Sequence, residues 1–428
     1  MAEGITRITV KGFKSIADEC SIEIRPLTIL AGANSSGKSS IMQPLLMMKQ
    51  TLESTYDPGP LLIDGPNVRF TSAEQFFSQM DGEVGGKFIV GLEVKNLQSF
   101  IETFVSKPQV GMHIEEIAYK NEEGIIILRP DMTQKDIMAA YPPWGDFCSK
   151  NPRHNNLRIE RNRCFLEIKI INKSRRPFSG ETDWSKAFSN AILSFIHVPA
   201  LRGNPERNYK KTSVGPMFPG TFEIYAASLI SHWQATNDAR LDDLGTALEL
   251  LGLTWKVSSK KVDDVSVEVM VGRFIHGANG NTKELVSIAD VGFGISQILP
   301  VMVALLTAQP GQMVYIEQPE IHLHPRAQMA MAQILAEAAN RGVRVVAETH
   351  SSLLLLGIQS LVAEGKLSPN KVKLHWFKRR PEDGITEVTS ADMDRAGAFG
   401  DWPEDFSSAE MDADTRYIHA AEARLESD

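Results

Sequence analysis

Eight consecutive residues, Gly32-Ala-Asn-Ser-Ser-Gly37-Lys38-Ser39, restrict what this chain can fold into more than any other feature. They satisfy the pattern G-x-x-x-x-G-K-[ST] without departure, between the apolar strand-like run LTIL and the apolar helix-like segment SIMQPLL. Strand, glycine-rich turn and helix together are the setting in which this pattern forms a P-loop. The glycines let the backbone curl until successive N–H groups face a polyphosphate at a helix N-terminus. Lys38 is then expected to meet the β- and γ-phosphates, and the Ser39 hydroxyl to ligate Mg²⁺. The cradle is expected to comprise Gly32, Ala33, Asn34, Ser35, Ser36, Gly37, Lys38, Ser39 and Ser40, with ATP and Mg²⁺ as cofactors.

A P-loop needs a parallel sheet wrapped by helices, and the composition can supply one. Of 428 residues, 43% are hydrophobic and 23% charged, which excludes a disordered chain or a fibre. Residues 298–308 form an uncharged apolar run of 11 residues containing Pro300, well short of the ~20 that cross a bilayer. The segment MAEGITRITVKGFKS has no apolar core of a secretory signal, so a cytoplasmic location is expected. Cys20, Cys148 and Cys164 lie far apart without C-x-x-C spacing, which argues against a disulfide framework or a cysteine zinc site.

The coarse pattern is α/β. ITRITVKGF and SIEIRPLTIL read as strands, whereas residues 81–280 contain alternating segments such as KFIVGLEV and FLEIKII, then a helix-like stretch over 221–251. In the last third, 294–308 reads as a helix, MVYIE as a buried strand, RAQMAMAQILAEAAN as a helix and VRVVAE as another buried strand. That alternation predicts a parallel sheet. The expected organisation is an N-terminal lobe (1–80), a β-rich then helical middle insert (81–280), a C-terminal lobe (281–380) and an acidic tail (381–428). Ser407-x-x-Glu410 in that tail is a capping box for a short helix.

Net charge is −8, but residues 382–428 hold 14 acidic and three basic residues, so the remainder is slightly basic. Residues 150–176 hold nine basic against two acidic residues, including Arg153, Arg158, Arg161, Arg163, Lys169, Lys173, Arg175 and Arg176. Arg202, Arg207 and Tyr209 follow. These residues suit nucleic-acid backbone contact; a solvated face or a protein-partner surface fits the same pattern.

MVYIEQPEIHLHP ends a buried strand in an acid, Glu317, the Walker B arrangement in which a carboxylate holds the Mg²⁺ water shell. Asp290-Val-Gly292-Phe-Gly294-Ile-Ser296 precedes it, and His350 follows the next strand. With V-K-G-F-K-S at the start and E-x-P-E-x-x-L-H-P, the pattern resembles ATP-binding-cassette ATPases of the SMC, RecF and overcoming-lysogenization-defect (OLD) kind. The resemblance covers roughly residues 1–55 and 285–380. It implies an ABC-type ATPase head, with Asp290, Gly292 and Gly294 in the signature loop and His350 as the switch histidine at the γ-phosphate. It also implies ATP held between two copies, so that the chain forms a homodimer or higher homo-oligomer. Phe13 and Lys14 are expected to border the adenine and phosphates. The tail GITEVTSADMDRAGAFGDWPEDF resembles a bacterial family that appends a W-P-x-x-F domain of unknown function to this core. Some of its members sit in anti-phage defence systems.

Two departures bear on chemistry. Asp290 stands where the signature serine is usual, and Ser296 is a candidate to replace that hydroxyl. Gln318 follows the Walker B acid where a glutamate base is usual; glutamine orients water but cannot accept its proton. Either Glu320 or His350 serves instead, or no base exists and the ATP-bound assembly stays closed; slow hydrolysis is expected. His322 and His324 beside Glu320 read as part of the D-loop rather than as metal ligands. Asp392-Met-Asp394 resembles the D-x-D of toprim nucleases, but only 78 residues follow His350, too few for that domain. Two functions remain: a nucleotide-gated scaffold or sensor holding a protein effector, and a DNA- or RNA-binding clamp.

Overall fold

The computed structural model describes residues 4–80, 83–94, 98–107, 111–122, 124–142, 156–171, 177–178, 183–273, 284–400, 415–420, 422 and 424. Cys148, Arg153, Lys173, Arg175, Arg176, the W-P-x-x-F segment and the Ser407–Glu410 capping box lie outside the described residues.

The continuous apolar runs LTILAG, MVYIE and RVVAET offer no polar face to water, so each needs cover on both sides. They lie together in a six-stranded sheet ordered Ile196–Val198, Met313–Glu317, Arg344–Thr349, Leu27–Gly32, Val372–Arg379 and Thr386–Ala391. The first five are parallel and the last is an antiparallel edge. Alternation along the strand sends Leu27, Ile29 and Ala31 into one core and Leu30 into another. The first core is closed by the helices Ala226–Thr236, Phe293–Thr307, Pro325–Asn340 and Ser352–Ala363. Pro325 at the first helical position and the Ser351 hydroxyl, which accepts from the Leu354 N–H at 3.0 Å, start two of these helices.

The second core lies between the central sheet and an antiparallel sheet of six strands: Cys20–Glu23, Ile5–Lys11, Lys87–Val94, Gln98–Lys107, Gly111–Asn121 and Gly124–Leu128. The helix Lys38–Glu53 lies in this core and buries Ile41, Met42, Leu45, Leu46, Met47 and Met48. At about 1.5–3 kcal/mol per side chain, that burial contributes on the order of 10 kcal/mol of gross transfer free energy. The first turn of this helix carries Lys38 and Ser39, so those two residues stand on one of the most firmly held elements of the fold.

The strand pairing crosses every boundary drawn from sequence. Val90 of 87–94 pairs with Val10, so the antiparallel sheet joins residues on either side of 80. Val198 pairs with Ile316 in the central sheet, Val271 with Val286, and Val388 with Phe377. The middle segment is therefore woven into the same sheets as the two ends. The helix-like stretch 221–251 is two helices, broken where Asn237 takes a left-handed conformation at φ 49°. Residues 415–420 of the tail are helical.

Candidate nucleotide and metal site

The P-loop connects the strand Leu27–Gly32 to the helix Lys38–Glu53. Gly32 and Gly37 have φ of 145° and 103°, a region that side chains other than glycine avoid. An added Cβ would run into the Phe377 carbonyl at Gly32 and the Thr386 hydroxyl at Gly37. The neighbouring strands thus press on the loop from one side and fix its curl. The Arg379 Nε donates to the Ser35 carbonyl at 2.7 Å and the Thr386 hydroxyl to the Ser36 carbonyl at 2.8 Å. Ala33, Asn34 and Ser35 remain accessible at the tip of the loop, while Ser36, Lys38 and Ser40 are held closer to the core. Lys38 Nζ donates to the carbonyls of Gly32 and Ala33 at 3.0 and 2.7 Å. Burial lowers its pKa, opposed by the nearby carboxylates of Glu348 and Glu320. A cleft of about 570 Å³ opens beside the loop, lined by Gly32, Asn34, Ser36, His350, Trp376 and Lys378.

Three carboxylates from two adjacent strands and the turn beyond them stand behind this loop. Glu317 and Glu348 are register partners in the parallel ladder, and Glu348 is paired on its other side with Leu30 of the P-loop strand. Ser39 Oγ donates to the Glu348 carboxylate, 2.9 Å from each oxygen, and the Tyr315 hydroxyl donates to Oε2 at 2.8 Å. Burial pushes Glu348 above the usual carboxylate range, the Tyr315 hydroxyl opposes this, and Glu317 adds to the rise. Glu317 differs: its Oε1 lies 3.2 Å from His197 Nε2 and its Oε2 accepts from the Ala200 N–H at 3.1 Å. Burial pushes Glu317 up, but these contacts outweigh it and hold the carboxyl below its ordinary value. His197 is itself held by Asn67 Oδ1, 3.0 Å from Nδ1, and stacks on Tyr315.

Glu320 is buried, and its Oε1 accepts from the Thr349 hydroxyl at 2.6 Å and the His350 N–H at 2.9 Å. Its Oε2 is buried without a hydrogen-bond partner. Burial raises its pKa, partly offset by those two donors. Gln318 has φ 47°; its N–H donates to the Glu348 carbonyl at 2.8 Å and its carbonyl accepts from Arg202 at 3.1 Å. Burial first, and then Lys38, lowers the pKa of His350, and the Gly32 backbone opposes that shift.

An ion such as Mg²⁺ takes oxygen donors and keeps waters and substrate phosphates in its shell, so few protein ligands are needed. The hydroxyl of Ser39 against the carboxylate of Glu348 supplies that donor chemistry, with Glu317 one strand further away. The residues present fit the group. Among the described residues, no cluster of three or more His, Cys, Asp and Glu side chains encloses an ion by itself. His324 instead caps the helix Pro325–Asn340, its ring accepting from the Arg326 N–H at 3.4 Å.

Other expected residues lie elsewhere. Phe13 does not border a nucleotide: it is fully buried among Phe70, Phe76 and Phe88, a cluster gathered by strand pairing. Lys14 places its amine 4.7 Å from the Phe70 ring centre. Asp290 forms a two-point ion pair with Arg207 at 2.6 and 3.1 Å, and both are exposed. Gly292 is the N-cap of the helix Phe293–Thr307 and has open space around its Cα, whereas Gly294 faces the His322 carbonyl. Ser296 is buried and donates to the Phe293 carbonyl at 2.9 Å, so its hydroxyl is spent inside its own helix.

Arg202 is only 6% exposed and donates to the carbonyls of Gln297, Glu317 and Gln318; it is an internal brace rather than a nucleic-acid contact. Arg161 pairs with Asp57, and Arg163 donates to the carbonyls of Thr51 and Tyr56, tying the hairpin of strands Asn156–Asn162 and Phe165–Ile171 to the loop after the P-loop helix. Arg158 is exposed. Asp392 pairs with Arg25 and Lys373, and Asp394 caps a turn by accepting from the N–H groups of Ala396 and Ala398. Sequence reasoning missed Glu348, His197, Tyr315 and Thr349. Of these, Glu348 carried a signal: it is an acid at the C-terminal end of a buried strand, the same feature that singled out Glu317.

Two family models match the sequence. One, described as "AAA ATPase domain", covers residues 4–160, and one described as "AAA domain, putative AbiEii toxin, Type IV TA system" covers residues 224–356. Among solved structures, an SMC head bound to the C-winged helix domain of ScpA is 11% identical. The similarity spans 92% of this chain and 99% of that one, with a TM-score of 0.50. An SMC head from Thermotoga maritima is 10% identical over 92% of this chain and 100% of its own, TM-score 0.41. A third, from Pyrococcus furiosus with an extended coiled coil, is 11% identical over 91% and 96%, TM-score 0.46. No curated protein matches significantly. The fold is that of a P-loop ATPase head. Within that class, two separate stretches of the chain resemble AAA ATPase domains, and the fold is similar to that of an SMC head. Among the described residues, no helix is long and apolar enough to cross a membrane.

Proposed function

We propose that this chain binds Mg–ATP in the Gly32–Ser39 loop, hydrolyses it slowly, and acts as a nucleotide-gated scaffold for a protein effector within bacterial anti-phage defence. The observation that carries the reading is the convergence of Lys38, Ser39, Glu348, Glu320 and His350 at one end of three adjacent strands. Lys38 and the loop N–H groups neutralise and orient the phosphates, and charge stabilisation of this kind is the main demand of phosphoryl transfer. Glu320 is the general base. Its Oε2 has no partner in the fold, while its Oε1 is fixed by Thr349 and by the backbone of His350. The amide of Gln318 orients the water, and the more distant base keeps turnover slow.

The γ-phosphate docks against the loop at Gly292 and Gly294 of a second copy, so ATP favours a homodimer. An SMC head of similar fold was solved bound to the C-winged helix domain of ScpA, which supports a protein partner here. A nucleic-acid clamp is the weaker reading, because Arg161, Arg163, Arg202 and Arg207 are already engaged within the chain. Particle mass measured with Mg–ATP, with Mg–ADP and without nucleotide tests the proposal. Association specific to ATP is expected; an ATP-bound monomer of unchanged mass would overturn the sandwich.

A further inference from the structure

We propose that Glu348, at the end of the strand next to the P-loop strand, supplies the carboxylate that serves the Mg²⁺ ion at Ser39, in place of the Walker B acid Glu317. The inference rests on the Mg–ATP reading and assigns the metal within that site.

Sheet geometry separates the two acids. The strand Arg344–Thr349 lies between the Walker B strand and the P-loop strand. Glu348 is in register with Leu30 on one side and Glu317 on the other. Strands in a sheet are about 4.8 Å apart, so Glu317 starts one full strand spacing further from the P-loop. The hydrogen bonds agree with that placement. Ser39 Oγ sits 2.9 Å from both oxygens of Glu348. Mg²⁺ holds its oxygen ligands at about 2.0–2.1 Å in an octahedron, so neighbouring ligands are about 2.9 Å apart. A hydroxyl and a carboxylate oxygen at that separation already have the spacing of one octahedral edge.

Glu317, by contrast, has both oxygens committed, to His197 Nε2 and to the Ala200 N–H. These contacts, with Asn67 behind His197, make Glu317 a positioning residue that fixes the segment 197–200 against the Walker B strand. Tyr315 plays the supporting role for Glu348. Its fully buried hydroxyl donates to Oε2 and restrains the carboxylate plane while leaving Oε1 for an ion. Two adjacent carboxylates of which one is already satisfied leave one acid for the cation.

The test uses the full chain and a non-hydrolysable ATP analogue, with Mn²⁺ as the paramagnetic probe read by electron paramagnetic resonance. Glu348→Gln is expected to weaken Mn²⁺ binding in the ternary complex at least about tenfold, as loss of a charged metal ligand does. Analogue binding in excess chelator should stay within about twofold, because the phosphates are held by the loop and Lys38. Glu317→Gln is expected to change Mn²⁺ affinity less than about threefold while lowering the melting temperature, as loss of a carboxylate hydrogen-bonded to His197 and to the Ala200 N–H does. A glutamine side chain keeps an oxygen that can accept from Ser39 or Tyr315, so the Glu348→Gln variant should fold. Glu348→Asp, which keeps the charge but shortens the reach, provides a second arm with an intermediate loss. Loss of Mn²⁺ in Glu317→Gln with retention in Glu348→Gln would overturn the inference and leave the nucleotide reading standing. A wild-type chain that binds no analogue at all would overturn both.

Discussion

Replacing Glu320 with glutamine isolates the proton acceptor from everything else that residue does. Oε1 accepts from Thr349 and from the His350 backbone, and glutamine keeps an oxygen in that place. Only Oε2, buried and unpartnered, becomes an amide nitrogen. Nucleotide affinity and the position of His350 should therefore survive. A positioned general base contributes about 10²–10⁴-fold. This base acts alongside a glutamine that already orients the water, so a loss of about 100-fold is expected, or about 2.7 kcal/mol in the barrier. The assay is phosphate release at saturating Mg–ATP, beside a titration with a non-hydrolysable analogue. Turnover within about twofold of wild type, with binding intact, would refute Glu320 as the base. In the otherwise wild-type chain, Gln318→Glu should change the rate little; a large acceleration would show that no competent base exists in the native chain.

Gly32→Ala forces a side chain into φ 145° and against the Phe377 carbonyl, so it should destabilise the fold by several kcal/mol, on the order of 3, and abolish analogue binding, checked by denaturant unfolding. His375 is buried and neutral, accepting from the Ser390 hydroxyl and donating to the Glu23 carbonyl, and burial lowers its pKa to about 4. Its unfolded value is near 6.5, so between about pH 6.5 and 4 the unfolded chain binds the extra proton. Its contribution is complete above about pH 6.5 and falls as pH drops toward 4, by about 1.4 kcal/mol per unit and roughly 3 in all. His375→Gln should flatten that acid limb, and an unchanged slope would contradict the assignment. Arg207→Ala should leave the melting temperature unchanged yet weaken ATP-driven association, because Asp290 then faces a γ-phosphate uncompensated; Asp290→Ser in the same chain should restore it, as read by sedimentation.

What was legible in the sequence was contiguous. The P-loop, the Walker B strand and the helix Pro325–Asn340 each carry their signal within a short stretch of chain: an apolar run, a glycine pair, an N-terminal proline. What was not legible depends on register between distant segments. His197 meets Glu317 across 120 residues and Ser39 meets Glu348 across 309. Nothing local marks such pairs until the strand order is known. Phe13 was misread for the same reason. Its loop neighbours the P-loop in sequence pattern, but the pairing of 5–11 with 87–94 brings Phe88 onto it and closes an aromatic core. The arginines show the limit of charge counting. Arg158 and Arg202 look alike in a tally, yet one is exposed and the other braces three carbonyls beneath the Walker B turn.

The central claim is that Lys38 and its loop hold the phosphates of ATP. Calorimetric titration of Mg–ATP analogue into wild type and Lys38→Ala tests it most directly, because among the described residues the Lys38 amine donates only to the loop carbonyls of Gly32 and Ala33 and the Ser36 hydroxyl. The expected result is saturable one-site binding in wild type, at least about a hundredfold loss in the variant, and matching unfolding curves for both. Equal affinity in the two proteins would contradict the claim and move the nucleotide, if one binds, out of this loop.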